Sequence, residues 1–362
     1  YWSLYLESLG LQATAISVLM SLWYATRIVA PSTWTLLAAR SPRPIRWLRA
    51  GSLLTLASFA AFLVPHGFAG LFLAMTAFCF FYNAVMPQFE SITLSHLGAR
   101  SERYGLIRVW GSIGFIVVVV AYGWLIDRHG IAALPWLMLP LFALLALLAF
   151  ANRYAQLPEE PARADDDGFR ARLRKPQVRA FFVAAFLTQV SFGPFYTFFS
   201  IYLQDNGYTP TAQGLLWAVG VLVEIAVFFG SVAIFRRWNA GKVLLLALLA
   251  AALRWWATGL WPQQLAVMLL AQASHALNFG AFFAASMQLL ARFFPGRMNG
   301  HGQGVFYGLS SGVGGVAGAL LAGQLWRFGG NVAFIASGFI ALLAAAIAWR
   351  WLVVEPAATN AS

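Results

Sequence analysis

The feature that most constrains this chain is a succession of long apolar runs separated by short polar connections. Eleven runs are long enough to cross a bilayer, because an apolar helix needs about 20 residues to do so. The predicted spans cover residues 12–38, 46–64, 68–97, 106–127, 131–152, 178–204, 211–236, 242–261, 263–294, 302–327 and 331–353. These runs predict an all-α, multi-pass membrane protein.

The composition excludes a soluble or disordered chain of this length. Of the 362 residues, 60% are hydrophobic and 10% are charged, whereas a soluble domain carries roughly 25% charged residues. The net charge of +12 raises the question of a nucleic-acid partner. The basic residues form short clusters between apolar runs and no continuous stripe, so no nucleic-acid partner is expected.

The basic clusters predict the orientation of the chain, because cytoplasmic loops are enriched in Lys and Arg. On the opposite side the connections carry only Arg128 and Arg327. The basic side is therefore predicted to be cytoplasmic in a bacterial inner (plasma) membrane, and it includes the C-terminus. Its basic residues outside the central linker are Arg40, Arg43, Arg46, Arg49, Arg100, Arg103, Arg108, Arg236, Arg237, Lys242, Arg292, Arg297 and Arg350.

An internal repeat predicts two similar halves in the same membrane orientation. Residues 1–10 read YWSLYLESLG and residues 198–207 read FFSIYLQDNG, an offset of 197 that also relates Gly105 to Gly302 and Gly111 to Gly308. The predicted organisation is an N-terminal six-helix bundle (1–153), a polar cytoplasmic linker (154–176) and a C-terminal six-helix bundle (177–362). The same offset predicts about 20 further residues before Tyr1 that complete the first helix.

Ionisable residues inside the spans are candidates for function, since a charge at a helix centre costs on the order of 2.5–3.5 kcal/mol. Glu224, Arg254 and His275 each lie about 12 or 13 residues into a predicted span, near mid-depth. An unpaired acid in apolar surroundings takes up a proton. We therefore predict a proton-coupling set of Glu224, Arg254 and His275. Glu224 would bind the proton and Arg254 would tune the pKa of Glu224. His275 would join a hydrogen-bond relay or bind substrate.

Other side chains are predicted to bind substrate. Gln272, His275 and Asn278 share one helix face with Phe279 by their three- and four-residue spacing. Glu90 and Arg108 lie at similar depth on either side of a short loop, where they could pair. The predicted substrate-binding residues are Arg27, Glu90, Arg108, Phe115, Gln272, Asn278 and Tyr196.

Each of these residues also has a purely structural interpretation. Arg108 could snorkel to a lipid phosphate, and Arg27 could belong to a structural ion pair. His275 could be a hydrogen-bonded core histidine, and Glu224 a structural acid.

The chain resembles the major facilitator superfamily, in its lactose-permease-like (oligosaccharide/proton symporter) branch. Residues 104–115 read YGLIRVWGSIGF, and the segments WAVGVLVE (217–224) and LRW (253–255) are most similar to phenylpropionate-permease-like members. The resemblance implies a twelve-span fold of two pseudo-symmetric six-helix bundles, with the first span truncated here.

The resemblance also implies roles for individual residues. Arg108 would pair with Glu90 and hold substrate, and Phe115 would stack against Arg108. The family's span-8 Glu, span-9 Arg and span-10 His correspond to Glu224, Arg254 and His275.

The chain departs from the family pattern at two places. The family has a proton-carrying Glu three residues after the His, and here that residue is Asn278, which cannot carry a proton. Residues 39–43 read ARSPR and lack the Asp of the usual motif between spans 2 and 3. Any proton coupling is therefore assigned to Glu224.

The sequence thus predicts a proton-coupled symporter that moves a small organic solute by alternating access, with an aromatic carboxylate as the favoured substrate. The alternatives are a sugar or nucleoside symporter, a proton-driven drug or metabolite exporter, and a receptor or assembly protein of the same fold. No enzyme motif, cofactor site or metal site is recognised. The expected partners are substrate, protons and the lipid bilayer, and the expected state is a monomer.

Overall fold

The computed structural model describes residues 1–98, 100, 104–152, 166–296 and 298–353, with the side chains of 166–167 and 227–237 omitted. Arg103, Arg297 and linker residues 154–165 lie outside the described residues, as do the side chains of Arg236 and Arg237. Regular structure in the described part of the chain is entirely helical. The all-α class predicted from the apolar runs is confirmed.

The helices fall into two compact units. The first comprises Tyr1–Glu160 and Tyr208–Gly214, and the second comprises Pro161–Gly207 and Leu215–Ser362. The helices that begin before the linker are α1 (Trp2–Ser8), α2 (Ala13–Ala39), α3 (Ile45–Ala60), α4 (Phe68–Leu97), α5 (Tyr104–His129) and α6 (Leu134–Ala151).

Ten further helices follow: α7 (Asp166–Leu173), α8 (Pro176–Ser191), α9 (Gly193–Asp205), α10 (Pro210–Arg237), α11 (Ala240–Leu260), α12 (Leu265–Ala273), α13 (Phe282–Phe293), α14 (Met298–Phe306), α15 (Gly315–Trp326) and α16 (Gly330–Ala348). Wider π-helical turns lie at Leu277–Ala281, Tyr307–Gly314 and Trp349–Val353.

Nine helical stretches of the described residues are long and apolar enough to cross a membrane. They are Ala13–Ala39, Phe68–Leu97, Tyr104–His129, Ile131–Ala151, Pro176–Asp205, Ala240–Leu260, Leu265–Phe293, Met298–Trp326 and Gly330–Val353. The two other predicted spans, 46–64 and 211–236, coincide with α3, which continues into a 3-10 turn at Ala61–Leu63, and with α10.

Two buried hydroxyl groups of the first unit are satisfied within their own helix. On α3 the hydroxyls of Ser52 and Thr55 each donate to the carbonyl oxygen four residues earlier, at 2.8 Å. This pairing removes the cost of placing a hydroxyl where no water is available. The rings of Phe59, Phe78 and Phe142 pack together, with centroids 4.5 to 5.1 Å apart.

The start of α10 belongs to the first unit because it crosses α5 at two glycines. A Cβ on Gly123 would lie 2.5 Å from the carbonyl oxygen of Pro210, and one on Gly214 would lie 2.6 Å from that of Val119. The side chain of Asp127 accepts hydrogen bonds from the backbone N–H and the hydroxyl of Thr211. Only glycine allows the two backbones to approach this closely.

In the second unit, the predicted span 178–204 is one apolar stretch, interrupted at Phe192, where α8 ends and α9 follows. The chain breaks between α8 and α9 at Phe192, and Gly193 then lies against the backbone of Gly318 on α15. Pro194 begins the new helix at a position where its missing N–H costs nothing.

The linker's described part contains the short helix α7. Its Phe169 ring packs 5.0 Å from that of Phe294, and the Arg172 guanidinium donates to the carbonyl oxygen of Phe293 at 2.8 Å. This helix therefore lies on the second unit.

Candidate functional site

The second unit buries one arginine among aromatic rings. Arg254, on α11, is 2% exposed. Its guanidinium carbon lies 4.3 Å from the ring centroid of Phe195 and 4.6 Å from that of Trp255. The negative faces of the two rings partly replace the water that the cation has lost.

Two polar side chains of α12 and the residues after it contact this guanidinium. Nη1 of Arg254 lies 2.9 Å from Nδ1 of His275, and Nη2 donates to Oε1 of Gln272 at 3.3 Å. Nε of Arg254 and Nε2 of Gln272 are buried with no partner among the described residues. The cluster therefore keeps unused donors.

His275 connects the arginine to the acid. Its Nε2 lies 3.7 Å from Oε2 of Glu224 on α10. The Glu224 side chain is 27% exposed, so the contacts that run from Arg254 through His275 end at a partly accessible carboxyl group. The His275 ring is stacked on Phe279, with centroids 5.5 Å apart and an interplanar angle of 11°. We call Glu224, Arg254, His275 and Gln272 the polar cluster.

α10 packs beside the polar cluster near Gly220. A Cβ on Gly220 would lie 3.4 Å from the backbone oxygen of Gln272 and 3.5 Å from Cβ of His275. A Cβ on Gly280 would lie 3.8 Å from Cγ of Glu224. A Cβ at either position would therefore make only ordinary van der Waals contacts.

A π-helical turn begins two residues after His275. It separates side chains that a regular helix would keep together. Asn278 is buried and donates from Nδ2 to the carbonyl oxygen of Ala247 at 3.1 Å, whereas Phe279 is largely exposed. Gln272, His275 and Asn278 therefore lie against α11. Tyr196 is half-buried on α9 and stacks on Phe192.

In the first unit, the predicted residues do not form one buried cluster. Glu90 accepts a hydrogen bond from the Tyr104 hydroxyl at 2.6 Å. Within the described residues, no ion pair joins Glu90 to Arg108. The side chains of Arg27, Arg108 and Phe115 are exposed.

The two rings beside Arg254 were not predicted as site residues. Trp255 follows Arg254 directly in sequence, which is a weak signal. Phe195 contacts Arg254 from the first turn of α9, and the Gly193-Pro194 pair is the sequence signal that a new helix begins there.

Apolar helices in this number, with ionisable side chains buried at mid-helix, define a polytopic membrane protein of the transporter class. The sequence pattern of the MFS_1 like family matches residues 1–336, and the chain belongs to that family. The chain is 29% identical over 299 residues to a probable 3-phenylpropionic acid transporter of Escherichia coli (strain K12), covering 80% of this chain and 77% of that protein.

Two further comparisons agree. The chain is 28% identical over 339 residues to a maltose permease of Geobacillus stearothermophilus, covering 90% of this chain and 84% of that protein. The crystal structure of the nucleoside transporter NupG matches with a TM-score of 0.80 at 14% identity, over 97% of this chain and 92% of that one. This last likeness concerns the fold.

The family and the relatives identify the chain as a multi-pass membrane transporter of small solutes. The resemblance to major facilitator transporters of the phenylpropionate-permease-like type is confirmed. The named relatives are transporters rather than enzymes, in agreement with the prediction from the sequence motifs.

Proposed function

We propose that the chain is a proton-coupled symporter of a small organic solute, and that an aromatic carboxylate is its favoured substrate. The observation that carries the proposal is the polar cluster of the second unit. There an accessible acid and a buried arginine are joined through one imidazole, among aromatic rings.

Glu224 is the proposed proton site. Its carboxyl group is partly accessible, so it can exchange a proton with water. Asn278, at the position where the resembling family has an acid, is an amide that donates to Ala247. The positive charge of Arg254 favours the ionised form of a nearby acid and so promotes proton release.

Arg254 is the proposed partner of a substrate carboxylate. The unused Nε of Arg254 and Nε2 of Gln272 are buried donors, and a buried donor without an acceptor costs free energy that a carboxylate would recover. The rings of Phe195, Trp255 and Tyr196 supply surfaces on which an aromatic acid can stack. The relative named as a 3-phenylpropionic acid transporter supports this class of substrate.

The first unit is proposed to contribute Arg27, Glu90, Arg108 and Phe115 to substrate binding. We also propose that the chain has twelve spans in two six-helix bundles and works by alternating access. It is proposed to be a monomer in a bacterial inner membrane, with its C-terminus in the cytoplasm. The side chains of Arg27, Arg108 and Phe115 are exposed in the described structure, as side chains that line an open cavity would be.

A sugar is the second candidate substrate. The similarity to a maltose permease extends over 90% of this chain. The buried amides of Gln272 and Asn278 are groups that a sugar hydroxyl could use as donors or acceptors.

The test is uptake into proteoliposomes under an imposed proton gradient, with 3-phenylpropionate, maltose and a nucleoside as solutes. Uphill uptake of 3-phenylpropionate, with proton influx, is expected. Glu224→Gln should abolish uphill uptake and leave part of the solute exchange, because binding persists without a titrating acid. Asp205→Asn, at the exposed end of α9, is the matched control and should change neither activity.

Several results would contradict the proposal. Unchanged uphill uptake in Glu224→Gln would remove Glu224 from coupling. Uptake of maltose without uptake of 3-phenylpropionate would show that the substrate is a sugar rather than an aromatic carboxylate. Solute-driven proton efflux would indicate an exporter. Absence of flux with every solute would favour the receptor or assembly alternative.

A further inference from the structure

We infer that Arg254 holds His275 as the neutral tautomer with its proton on Nε2, so that His275 is a positioning residue that directs an N–H toward Glu224. On this view His275 does not itself carry the transported proton. The assignment of the tautomer stands on the geometry alone, and its consequence for transport rests on the proposed function.

The first step is the chemistry of the contact between Arg254 and His275. A guanidinium has only donors and stays protonated in proteins. Nη1 lies 2.9 Å from Nδ1 of His275, which is a hydrogen-bond distance. Nδ1 must therefore be the acceptor and carry no proton. A neutral imidazole with a bare Nδ1 has its proton on Nε2.

The second step is that the surroundings fix both groups. The His275 ring is stacked on Phe279, and its other neighbour is Phe195, with centroids 5.8 Å apart. Arg254 is held by Phe195, Trp255 and Gln272. A flip of the imidazole would place a ring carbon against the guanidinium and leave Nη1 without its acceptor. Protonation of Nδ1 would set two donors and two positive charges against each other in a buried site.

The third step concerns Glu224. The imidazole nitrogen that faces Oε2 of Glu224 is Nε2, the one that carries the proton, at 3.7 Å. This separation is longer than a hydrogen bond, and a small movement of the flexible Glu224 side chain closes it. An N–H aimed at the carboxyl group stabilises its ionised form. A further titratable group, Tyr196 on α9, interacts electrostatically with Arg254.

The tautomer is measured by nitrogen NMR of the purified full chain in lipid nanodiscs, labelled with ¹⁵N at its 5 histidines. Comparison with the spectrum of His275→Gln identifies the His275 signals. We expect a neutral ring protonated on Nε2 across the range from about pH 5 to pH 8, where an unperturbed histidine titrates. A ring protonated on Nδ1, or an imidazolium within that range, would overturn the inference.

Arg254 variants test what holds the tautomer. Arg254→Gln should allow His275 to exchange between tautomers, since an amide can accept from Nδ1–H as well as donate to Nδ1. Arg254→Lys keeps a cation with donors only, so it should retain the Nε2–H tautomer. If both variants leave the spectrum unchanged, Arg254 does not hold His275 and the inference fails.

A matched pair of variants tests the consequence for transport. The side-chain amide of Gln reaches the position of Nε2, and the shorter amide of Asn reaches that of Nδ1. His275→Gln should retain more uphill uptake than His275→Asn and a pH profile closer to that of the unmodified chain. His275→Asn should lower uphill uptake by about tenfold and shift the pH profile, the scale of one hydrogen bond to a charged group.

Other patterns contradict the positioning role. Equal loss of uphill uptake in both variants would mean that His275 carries the proton, and no change in either would mean that it positions nothing. If the unmodified chain transports no solute, the proposed function fails while the NMR result still decides the tautomer.

Discussion

At the scale of single residues, Arg254 and Glu224 both contact His275, whereas Asn278, which stands where the resembling family has an acid, contacts the backbone of α11. Arg254 is stabilised by rings and two acceptors, and the acid that completes the set comes from α10. Asn278 lies beyond the start of the π-helical turn and donates to the backbone of α11. Its side chain therefore joins two helices and needs its N–H₂ group.

Asn278→Asp tests this interpretation, because the two side chains have nearly the same shape. An ionised Asp would set a carboxylate against the carbonyl oxygen of Ala247, whereas a protonated Asp can still donate to it. We expect the variant to be destabilised by about 1–3 kcal/mol at neutral pH, with part of the loss recovered at acidic pH. Thermal unfolding in detergent at two pH values measures the effect.

Asn331→Asp, at the exposed start of α16, is the control and should unfold nearly as the unmodified chain does. Equal stability of Asn278→Asp at both pH values would show that the contact with Ala247 does not need a donor.

At the scale of helices, close approach of backbones shapes the second unit. Gly193 begins α9 against the backbone of Gly318, and Gly314 lies near the carbonyl oxygen of Phe186 on α8. Lipid gives no hydrophobic drive for helix association, so contacts of this kind hold the helices together. They also place Phe195 beside Arg254.

Gly193→Ala is therefore expected to be destabilising by about 1–3 kcal/mol, because its Cβ would overlap the backbone of Gly318 and neither helix can move without disturbing the other. Gly308→Ala is the matched control, since a Cβ there meets no neighbour within 4 Å and alanine favours a helix. Thermal unfolding in detergent compares the two. A Gly193→Ala variant as stable as Gly308→Ala would exclude the tight contact.

The sequence predicts well where each helix lies along the chain. It predicts poorly where a helix is interrupted or widens into a π-helical turn. Apolar length predicts where a span begins and ends, and each predicted span falls on helical residues of the described chain. The break at Phe192 and the π-helical turn at Leu277–Ala281 lie inside apolar runs and depend on packing against α15 and α11. Mid-helix charge identifies Glu224, Arg254 and His275, and their proximity becomes visible only in three dimensions.

At the scale of the whole molecule, the charge distribution predicts the orientation of the chain in the membrane. The connections that carry clusters of Lys and Arg alternate with connections that carry almost none. The residues before α8 include Arg174, which is exposed, and the connection between α11 and α12 includes Gln263, which is also exposed. The positive-inside rule predicts that the first lies in the cytoplasm and the second on the opposite side.

Thiol labelling of intact cells tests this orientation, because the lone Cys79 is buried and contributes little background. A membrane-impermeant maleimide should label Gln263→Cys in intact cells and Arg174→Cys only after the membrane is permeabilised. Labelling of both variants in detergent is the control for thiol reactivity. The reverse pattern would mean that Arg174 and the C-terminus, on the same predicted side, face outward.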